Sequence, residues 1–256
     1  MINKDIINYL ELLYCLVNKE LKIRYNYSFL GYIWALANPI AFAMIYYFAF
    51  KIILRIEMEN YSLFLLCGLF PWVFFANSIN RATISYKADT TLVKRIKIDL
   101  SAIPLSTVLQ EGIHFCFSLP ILVFLVFLLT QNIFFSWLYQ IPILCILQLL
   151  FLYSFTQILS LSNVFFRDTE YLTGIFVSLS FFLTPIVYPI NMVPEKYSII
   201  FDLNPFAMMI SNWRSVLLEG NMDIHRLLFF FCITFLFFLI SQSLLKRYKF
   251  NMSELL

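Results

Sequence analysis

The sequence predicts an all-α polytopic membrane protein with six transmembrane helices, and three observations support this fold class. Hydrophobic residues make up 61% of the 256 residues and charged residues only 13%, whereas soluble domains carry about 25% charged residues. The chain also has 30 phenylalanines, which would cause aggregation on a water-facing surface. Apolar runs long enough to cross a bilayer recur along the chain. We therefore expect a single membrane domain over residues 1–256, without an attached soluble domain.

The first 28 residues are expected to form an amphipathic helix on the cytoplasmic side. Apolar residues recur there at steps of three and four, which is the helical period: Ile6, Ile7, Leu10, Leu13, Tyr14, Val17 and Leu21. Charged residues fall between them. A helix of this length with interspersed charges is expected to lie in the membrane interface rather than to cross the bilayer.

Six apolar segments then follow, each near the roughly 20 residues that span a hydrocarbon core of about 30 Å. Their predicted bounds are 29–54, 61–84, 103–129, 134–164, 171–188 and 227–246, with the first five spans contained in residues 29–188 and the sixth, with its tail, in 227–256. With six spans the two termini share a side. Of the 18 Lys and Arg residues, 13 fall on that side and 5 on the other, namely Lys51, Arg55, Lys196, Arg214 and Arg226. Positive charge accumulates on the inner side of a membrane, so both termini are predicted to be cytoplasmic.

The segment 189–226, between the last two spans, is an external loop that is itself apolar and aromatic. Within it, NPFAMMISNWRSVLLEG predicts a helix with Asn204 as N-cap, Pro205 in the first turn and Gly220 at the end. About 15 residues are too few to cross the bilayer, so we expect a re-entrant or interfacial helix.

Several function classes are excluded by what the sequence lacks. The five glycines stand at least 37 positions apart, the smallest gap being from Gly31 to Gly68, so no glycine-rich nucleotide-binding loop is possible. His114 and His225 are the only histidines, and the five cysteines are widely spaced. We expect no catalytic residue, no metal and no cofactor in this chain. The net charge of +3 reflects the basic residues on the predicted cytoplasmic side, and it does not indicate that the protein binds nucleic acid.

Two features leave both a functional and a structural interpretation open. Glu111 and His114 share a helical face, and an ionisable group inside a membrane is a functional candidate; alternatively, Glu111 faces the bundle and pairs with Arg81 or His114. The segment TTLVKRIKIDLSAIP places Leu92 and other apolar residues beside basic ones. It predicts either a membrane-surface helix or a peg that docks into a soluble partner.

Aromatic residues at the span ends are typical interface anchors. Some could instead line a conduit, because a flat ring packs on the apolar face of a sugar and a tyrosine hydroxyl can bond to its hydroxyls. Tyr46 and Tyr47 fit that second role better than most.

Five segments, in this order, resemble the permease subunits of ABC-2 type exporters of bacterial polysaccharides, such as O-antigen, capsule and teichoic acid. They are KIRYNYSFLGYIWALANPI, GLFPWVFFANSINR, LVKRIKI, NVFFRD and TPIVYPINMVP with LNP. The resemblance implies a homodimer in the bacterial inner membrane, bound to two copies of a separate ATPase subunit that carries ATP and Mg²⁺. It also implies that a lipid-linked polysaccharide passes between the two permeases. Where the family commonly has a Phe-Pro pair, residues 99–104 read DLSAIP. The resemblance therefore does not define where the third span begins.

The resemblance also implies roles for individual residues. The substrate path and the lipid-carrier site are expected at Arg24, Tyr25, Trp34, Tyr46, Tyr47, Trp72 and Tyr188. The contact with the ATPase is expected at Tyr14, Leu92, Val93, Lys94, Arg95 and Ile96. The external gate is expected at Pro189, Pro194, Pro205 and Trp213. Lys22, Arg24 and Tyr25 would lie at the headgroup level, where basic side chains attract anionic lipids and a diphosphate carrier; for Lys22 and Arg24 a role in topology alone stays open.

Two other functions stay open at the level of sequence. One is an ABC-2 permease that exports drugs or lipids, and the other is an assembly protein of the membrane that transports nothing. The tyrosine-rich spans and the apolar external segment favour the polysaccharide exporter.

Overall fold

A computed structural model of the chain describes residues 4–25, 31–53, 55, 58, 60–95 and 99–255. Helices dominate this part of the chain, and it contains no strand. In chain order the helices are α1 (Lys4–Tyr25), α2 (Trp34–Tyr46), α3 (Tyr61–Thr83), α4 (Ser85–Ala88), α5 (Thr90–Arg95), α6 (Ala102–Thr130), α7 (Trp137–Phe165), α8 (Thr169–Phe182), α9 (Ser198–Leu203), α10 (Pro205–Arg214) and α11 (Ile224–Leu255). Two π-helical segments, Tyr47–Ile53 and Ser215–Glu219, extend α2 and α10. Short 3₁₀ turns lie at Gly31–Ile33, Ile190–Met192 and Glu195–Tyr197.

Four described helices are long and apolar enough to cross a membrane. They are α3, α6, α7 and the part Ile224–Lys249 of α11. They coincide with the second, third, fourth and sixth predicted spans, and those four predictions are confirmed as long apolar helices.

The first and fifth predicted spans correspond to shorter helices. The first is covered by α2 with its π-helical extension, in which Ile40–Ile53 is apolar; its ends at 29, 30 and 54 lie outside the described residues. The fifth overlaps α8, which begins two residues before it and whose 14 residues extend only about 21 Å at 1.5 Å per residue. Residues 183–188 follow without forming a helix.

Helix α3 is the centre of the bundle. It packs against α2, α6, α7, α8 and α10. Of the residues in its most apolar 18-residue stretch, 78% are buried within the chain. Its own composition explains this position, because leucine and phenylalanine occur on all its faces, and Leu65, Phe70 and Phe75 are almost fully buried. Helix α11 packs on α7 and α10, but only 22% of the residues in its most apolar 18-residue stretch are buried. Most of its apolar surface therefore faces outward.

A second, smaller apolar cluster joins α1 to α4, α5 and the start of α6. Leu13 and Leu16 of α1 pack there with Tyr86 of α4 and Val93 of α5. Tyr9 adds a hydrogen bond of 3.1 Å to the hydroxyl of Ser101, just before α6. Helix α1 is therefore fixed to α6 and to the α4–α5 segment through one of its faces.

The predicted helix beginning at residue 205 is confirmed, including its caps. Asn204 Oδ1 accepts a hydrogen bond of 2.9 Å from the backbone N–H of Phe206, and Pro205 opens the first turn. Gly220 ends the helical segment with a φ of 70°, a value that glycine adopts without strain. Helix α10 packs on α3, α7 and α11, so this segment lies among the long helices.

Candidate functional site

A buried carboxylate holds two arginines near the end of α3. Glu111 of α6 is only 2% exposed, and its Oε1 accepts hydrogen bonds from Arg24 Nη1 at 2.5 Å and from Arg81 Nη1 at 2.9 Å. The predicted pairing of Glu111 with Arg81 is confirmed. Sequence reasoning missed the pairing with Arg24, which is 87 residues away in the chain.

Further ion pairs continue from Arg81 to the start of α5. Arg81 Nη2 lies 3.2 Å from Glu20 Oε2. The Nζ atom of Lys19, the residue before Glu20, lies 3.3 Å from Glu20 Oε1. Lys19 also donates to Asp89 Oδ1, the residue before α5. We call the six residues Asp89, Lys19, Glu20, Arg81, Glu111 and Arg24 the charged chain. Glu20 and Arg24 reach their partners together because they are four residues apart on one face of α1.

The charge of Lys19 is stabilised within this chain of ion pairs. Burial by itself lowers the pKa of Lys19, but the hydrogen bond to Asp89 and the charges of Asp89 and Glu20 outweigh that effect. The net result is a pKa above the ordinary value. Lys19 therefore stays protonated at physiological pH, and the contact with Asp89 remains an ion pair.

A narrow cleft lies beside the Arg24–Glu111 pair, and we call it the Arg24 cleft. It has room for about 30 Å³, which is enough for about one water molecule. His114 approaches Gln110 there, with 3.5 Å between their Nε2 atoms. The lining residues are Arg24, Trp34, Phe70, Val73, Phe74, Asn77, Glu111, His114, Phe115 and Ser118.

A wider cleft lies next to it along α3, and we call it the aromatic cleft. It measures about 330 Å³. The ring of Tyr46 stacks on Phe181 at 5.2 Å between centroids, and Trp72 meets Phe181 edge-on at 5.7 Å. Val73 and Asn77 line both clefts, so the clefts are neighbours. The lining residues are Phe42, Tyr46, Leu69, Trp72, Val73, Ala76, Asn77, Val177, Ser178, Phe181 and Phe182.

The structure thus brings four residues of the predicted substrate path to two adjoining clefts: Arg24 and Trp34 to one, Tyr46 and Trp72 to the other. Tyr47 and Tyr188 line neither cleft. Tyr47 lies 6.3 Å from Tyr61 between ring centroids, and the Tyr188 hydroxyl donates to the carbonyl of Phe182 at 2.5 Å. The side chain of Tyr25 lies outside the described part.

The residues predicted to contact an ATPase differ in exposure. Tyr14 is 71% exposed on α1. Leu92 is half-buried, and Val93 is buried against Leu13 and Leu16 of the same chain. The side chains of Lys94 and Arg95 and the whole of Ile96 lie outside the described residues.

The predicted gate residues lie at the opposite end of α3 and along α10. Trp213 is fully buried, and its Nε1 donates to Gln148 Oε1 at 2.7 Å. Gln148 in turn donates to the carbonyl of Pro71 at 3.0 Å. Pro205 opens α10, while Pro189 and the exposed Pro194 flank the 3₁₀ turn Ile190–Met192.

Arg214, next to Trp213, was missed by sequence reasoning as a site residue. Its guanidinium donates to three backbone carbonyls: Phe64 at 3.2 Å, Ile186 at 2.6 Å, and Pro185. It also lies 3.5 Å above the centroid of the Phe64 ring, a cation–π contact. The signal available in the sequence was a lone cation within an apolar helix, which requires partners from elsewhere in the fold.

The two clefts offer groups that can bind anions and apolar surfaces. Arginine forks bind phosphate and carboxylate groups through paired, charge-assisted hydrogen bonds, and aromatic faces pack on apolar surfaces. Among the described residues, no group of three His, Cys, Asp or Glu side chains could hold a metal ion.

Long apolar helices around such clefts define a multi-pass membrane protein. Residues 11–218 match the family described as "ABC-2 type transporter", and the chain belongs to that family.

Relatives resemble this chain over most of its length. It is 38% identical over 246 residues to the O-antigen export system permease protein RfbA of Klebsiella pneumoniae. The aligned region covers 96% of this chain and 95% of the relative. It is 29% identical to the protein of that name from Myxococcus xanthus, over 88% of this chain and 85% of the relative. It is 25% identical to the polysialic acid transport protein KpsM of Escherichia coli, over 79% of each chain.

Proposed function

We propose that this chain is the membrane-spanning subunit of an ATP-driven exporter, which moves a lipid-linked polysaccharide out of the cytoplasm across the bacterial inner membrane. The observation that carries the proposal is the 38% identity to an O-antigen export permease, which extends over 96% of this chain. The adjoining cationic and aromatic clefts suit such a cargo, because a lipid-linked glycan combines an anionic headgroup with sugar rings.

The proposed topology has six spans with both termini in the cytoplasm. In it α2 with its π-helical extension forms the first span, and α8 with residues 183–188 forms the fifth. Helix α10 with its extension is re-entrant. Two facts support this assignment: the segment is too short to cross at about 22 Å, and the burial of Trp213 shows that it is embedded among other helices.

Helix α1 is proposed to lie at the cytoplasmic interface. One face is fixed to the bundle through Leu13 and Leu16. Ile6, Leu10 and Tyr14 remain more than half exposed. Exposed apolar side chains on a helix that also carries charges suit a position against lipid headgroups or against a partner protein.

The proposed assembly contains two copies of this chain and two copies of a separate ATPase, which carries ATP and Mg²⁺. The ATPase is proposed to dock on α5 and the residues that follow it. Helix α5 suits this role because it is short and because it is anchored to α1 through the buried Val93. A force applied to α5 would therefore reach the bundle.

The function is tested by deleting the gene from the source cells and restoring it on a plasmid. Surface polysaccharide, measured by immunoblot, should disappear on deletion, accumulate inside the cell as lipid-linked material, and return on complementation. Unchanged surface polysaccharide, combined with altered accumulation of drugs or lipids, would identify the other type of ABC-2 exporter.

The partner is tested with the variant Leu92→Asp and the control Leu203→Asp. A charge at the half-buried Leu92 should weaken co-purification of the ATPase, because a charge is costly in an apolar contact. At Leu203, which is 58% exposed on α9 in the external segment, the same change should leave co-purification intact. Equal recovery of the ATPase with both variants would place the docking site elsewhere.

A further inference from the structure

The charged chain connects two places to which the proposed function assigns different tasks. One end is Asp89, immediately before α5, where the ATPase is proposed to dock. The other end is Arg24, in the cleft where an anionic headgroup is proposed to bind. Between them, Lys19, Glu20, Arg81 and Glu111 provide consecutive ion pairs across α1, α3 and α6.

At the cleft end of the charged chain, Arg24 already has a partner. Its Nη1 atom donates to Glu111 Oε1, while the side chain as a whole remains 30% exposed. A phosphate group that binds Nη1 and Nη2 through two parallel hydrogen bonds therefore competes with the Glu111 carboxylate for Nη1.

Such an exchange has consequences beyond Arg24 because Glu111 is shared. The carboxylate is buried, and a buried charge without a partner is strongly destabilising. When Arg24 leaves, Arg81 is the partner that remains. It donates to Glu111 through Nη1 and to Glu20 through Nη2, so a guanidinium drawn toward Glu111 moves away from Glu20. When the bond between Arg81 and Glu20 weakens, the Glu20 carboxylate depends more on Lys19. Lys19 is then shared more unequally between Glu20 and Asp89.

We propose that the charged chain is a latch that couples occupancy of the Arg24 cleft to the position of α5. In the closed state Glu111 holds Arg24; in the open state an anionic headgroup holds Arg24 and Glu111 keeps Arg81. Glu111, Arg81, Glu20 and Lys19 are positioning residues in this scheme. The proposal rests on the proposed function for the occupants of its two ends. Because coupling between two sites is reciprocal, headgroup binding shifts α5, and movement of α5 by the ATPase opens the cleft.

The first test measures ATP hydrolysis by the permease–ATPase complex in lipid nanodiscs, with and without a polyprenyl diphosphate. The uncharged polyprenol serves as the control lipid. The wild-type complex should be stimulated by the diphosphate and not by the polyprenol. Glu20→Gln should reduce the stimulation ratio by about fivefold or more, the range of ordinary allosteric coupling. Glu11→Gln, at an exposed site on the same helix, should leave the ratio unchanged.

The second test removes the charge at the α5 end. Asp89→Asn should lower the stimulation ratio because it breaks the ion pair with Lys19, and Asp89→Glu should retain the ratio because it keeps the carboxylate. ATPase co-purification is the accompanying readout. A purely structural role predicts that the ratio stays constant while the amount of complex falls.

Each outcome decides the proposal. A ratio that survives Glu20→Gln, or an Asp89→Glu variant no better than Asp89→Asn, overturns the latch. If Asp89→Asn fails to assemble, Asp89→Glu decides, and its failure to retain both assembly and stimulation also counts against the latch. A wild-type complex that ignores the diphosphate overturns the latch as well. The deletion phenotype then shows separately whether the transport function stands.

Discussion

Two arginine sites lie at opposite ends of α3, and they bind the guanidinium groups in different ways. Near Arg81, two arginines share the carboxylate of Glu111. Near Phe64, which is 17 residues or about 25 Å away along the helix, Arg214 is held by three backbone carbonyls and an aromatic ring. A carboxylate on a side chain can exchange partners, whereas backbone carbonyls are fixed by the helices and turns they belong to. The first site is therefore suited to switching and the second to holding the bundle together.

The largest expected effect tests the second half of this comparison. Arg214→Gln leaves at least two of the three carbonyls without their donor, and each unsatisfied buried group costs about 1–3 kcal/mol. We expect the free energy of unfolding to fall by about 3 kcal/mol or more. The measurement is thermal unfolding in detergent, followed by tryptophan fluorescence.

The matched control is Arg226→Gln. Arg226 forms exposed ion pairs with Asp202 and Asp223, and such pairs contribute about 0–1 kcal/mol. If both variants unfolded at the same temperature as the wild type, the three carbonyl contacts would not stabilise the bundle.

A smaller effect is expected from the glycine that faces Arg214. A Cβ added at Gly68 would lie 2.5 Å from Arg214 Nη2, and that side chain cannot turn away without breaking its carbonyl bonds. We expect Gly68→Ala to destabilise the protein by about 1–3 kcal/mol, the usual cost of overpacking.

Gly174→Ala is the control for that substitution, because nothing lies within 4 Å of the added Cβ. Alanine in a helix is favoured over glycine by about 0.8–1 kcal/mol, so Gly174→Ala should be neutral or slightly stabilising. A stabilised Gly68→Ala variant would show that Arg214 moves freely and is not fixed by its carbonyls.

The same comparison shows which features of the protein could be predicted from its sequence. The long apolar helices and the bounds of the segment from Asn204 to Gly220 depend on local chemistry, namely apolar length and capping residues; four of the six predicted spans and the bounds of that segment were confirmed. The pairing of Glu111 with Arg81 was also among the predicted alternatives. The contact of Arg24 with Glu111 was missed because it depends on how α1 docks on α6, and the carbonyl cluster around Arg214 was missed because backbone carbonyls carry no residue-specific signal.

The smallest effect on folding is expected at Arg24, where the consequence should instead be seen in transport. Arg24→Lys keeps the positive charge, so membrane insertion and the ion pair with Glu111 should be retained, and the unfolding temperature should hardly change. A lysine ammonium cannot form the two parallel hydrogen bonds of a guanidinium with a phosphate group. Loss of one such bond costs on the order of 1–3 kcal/mol. We therefore expect about tenfold to a hundredfold weaker engagement of a diphosphate carrier and markedly less surface polysaccharide at matched membrane abundance.

Lys22→Arg, at an exposed position two residues earlier on α1, should be near neutral in the same assay. Wild-type surface polysaccharide in the Arg24→Lys variant would reduce Arg24 to a topology signal, and recognition of the carrier would then be sought at the exposed Arg167, beyond the end of α7.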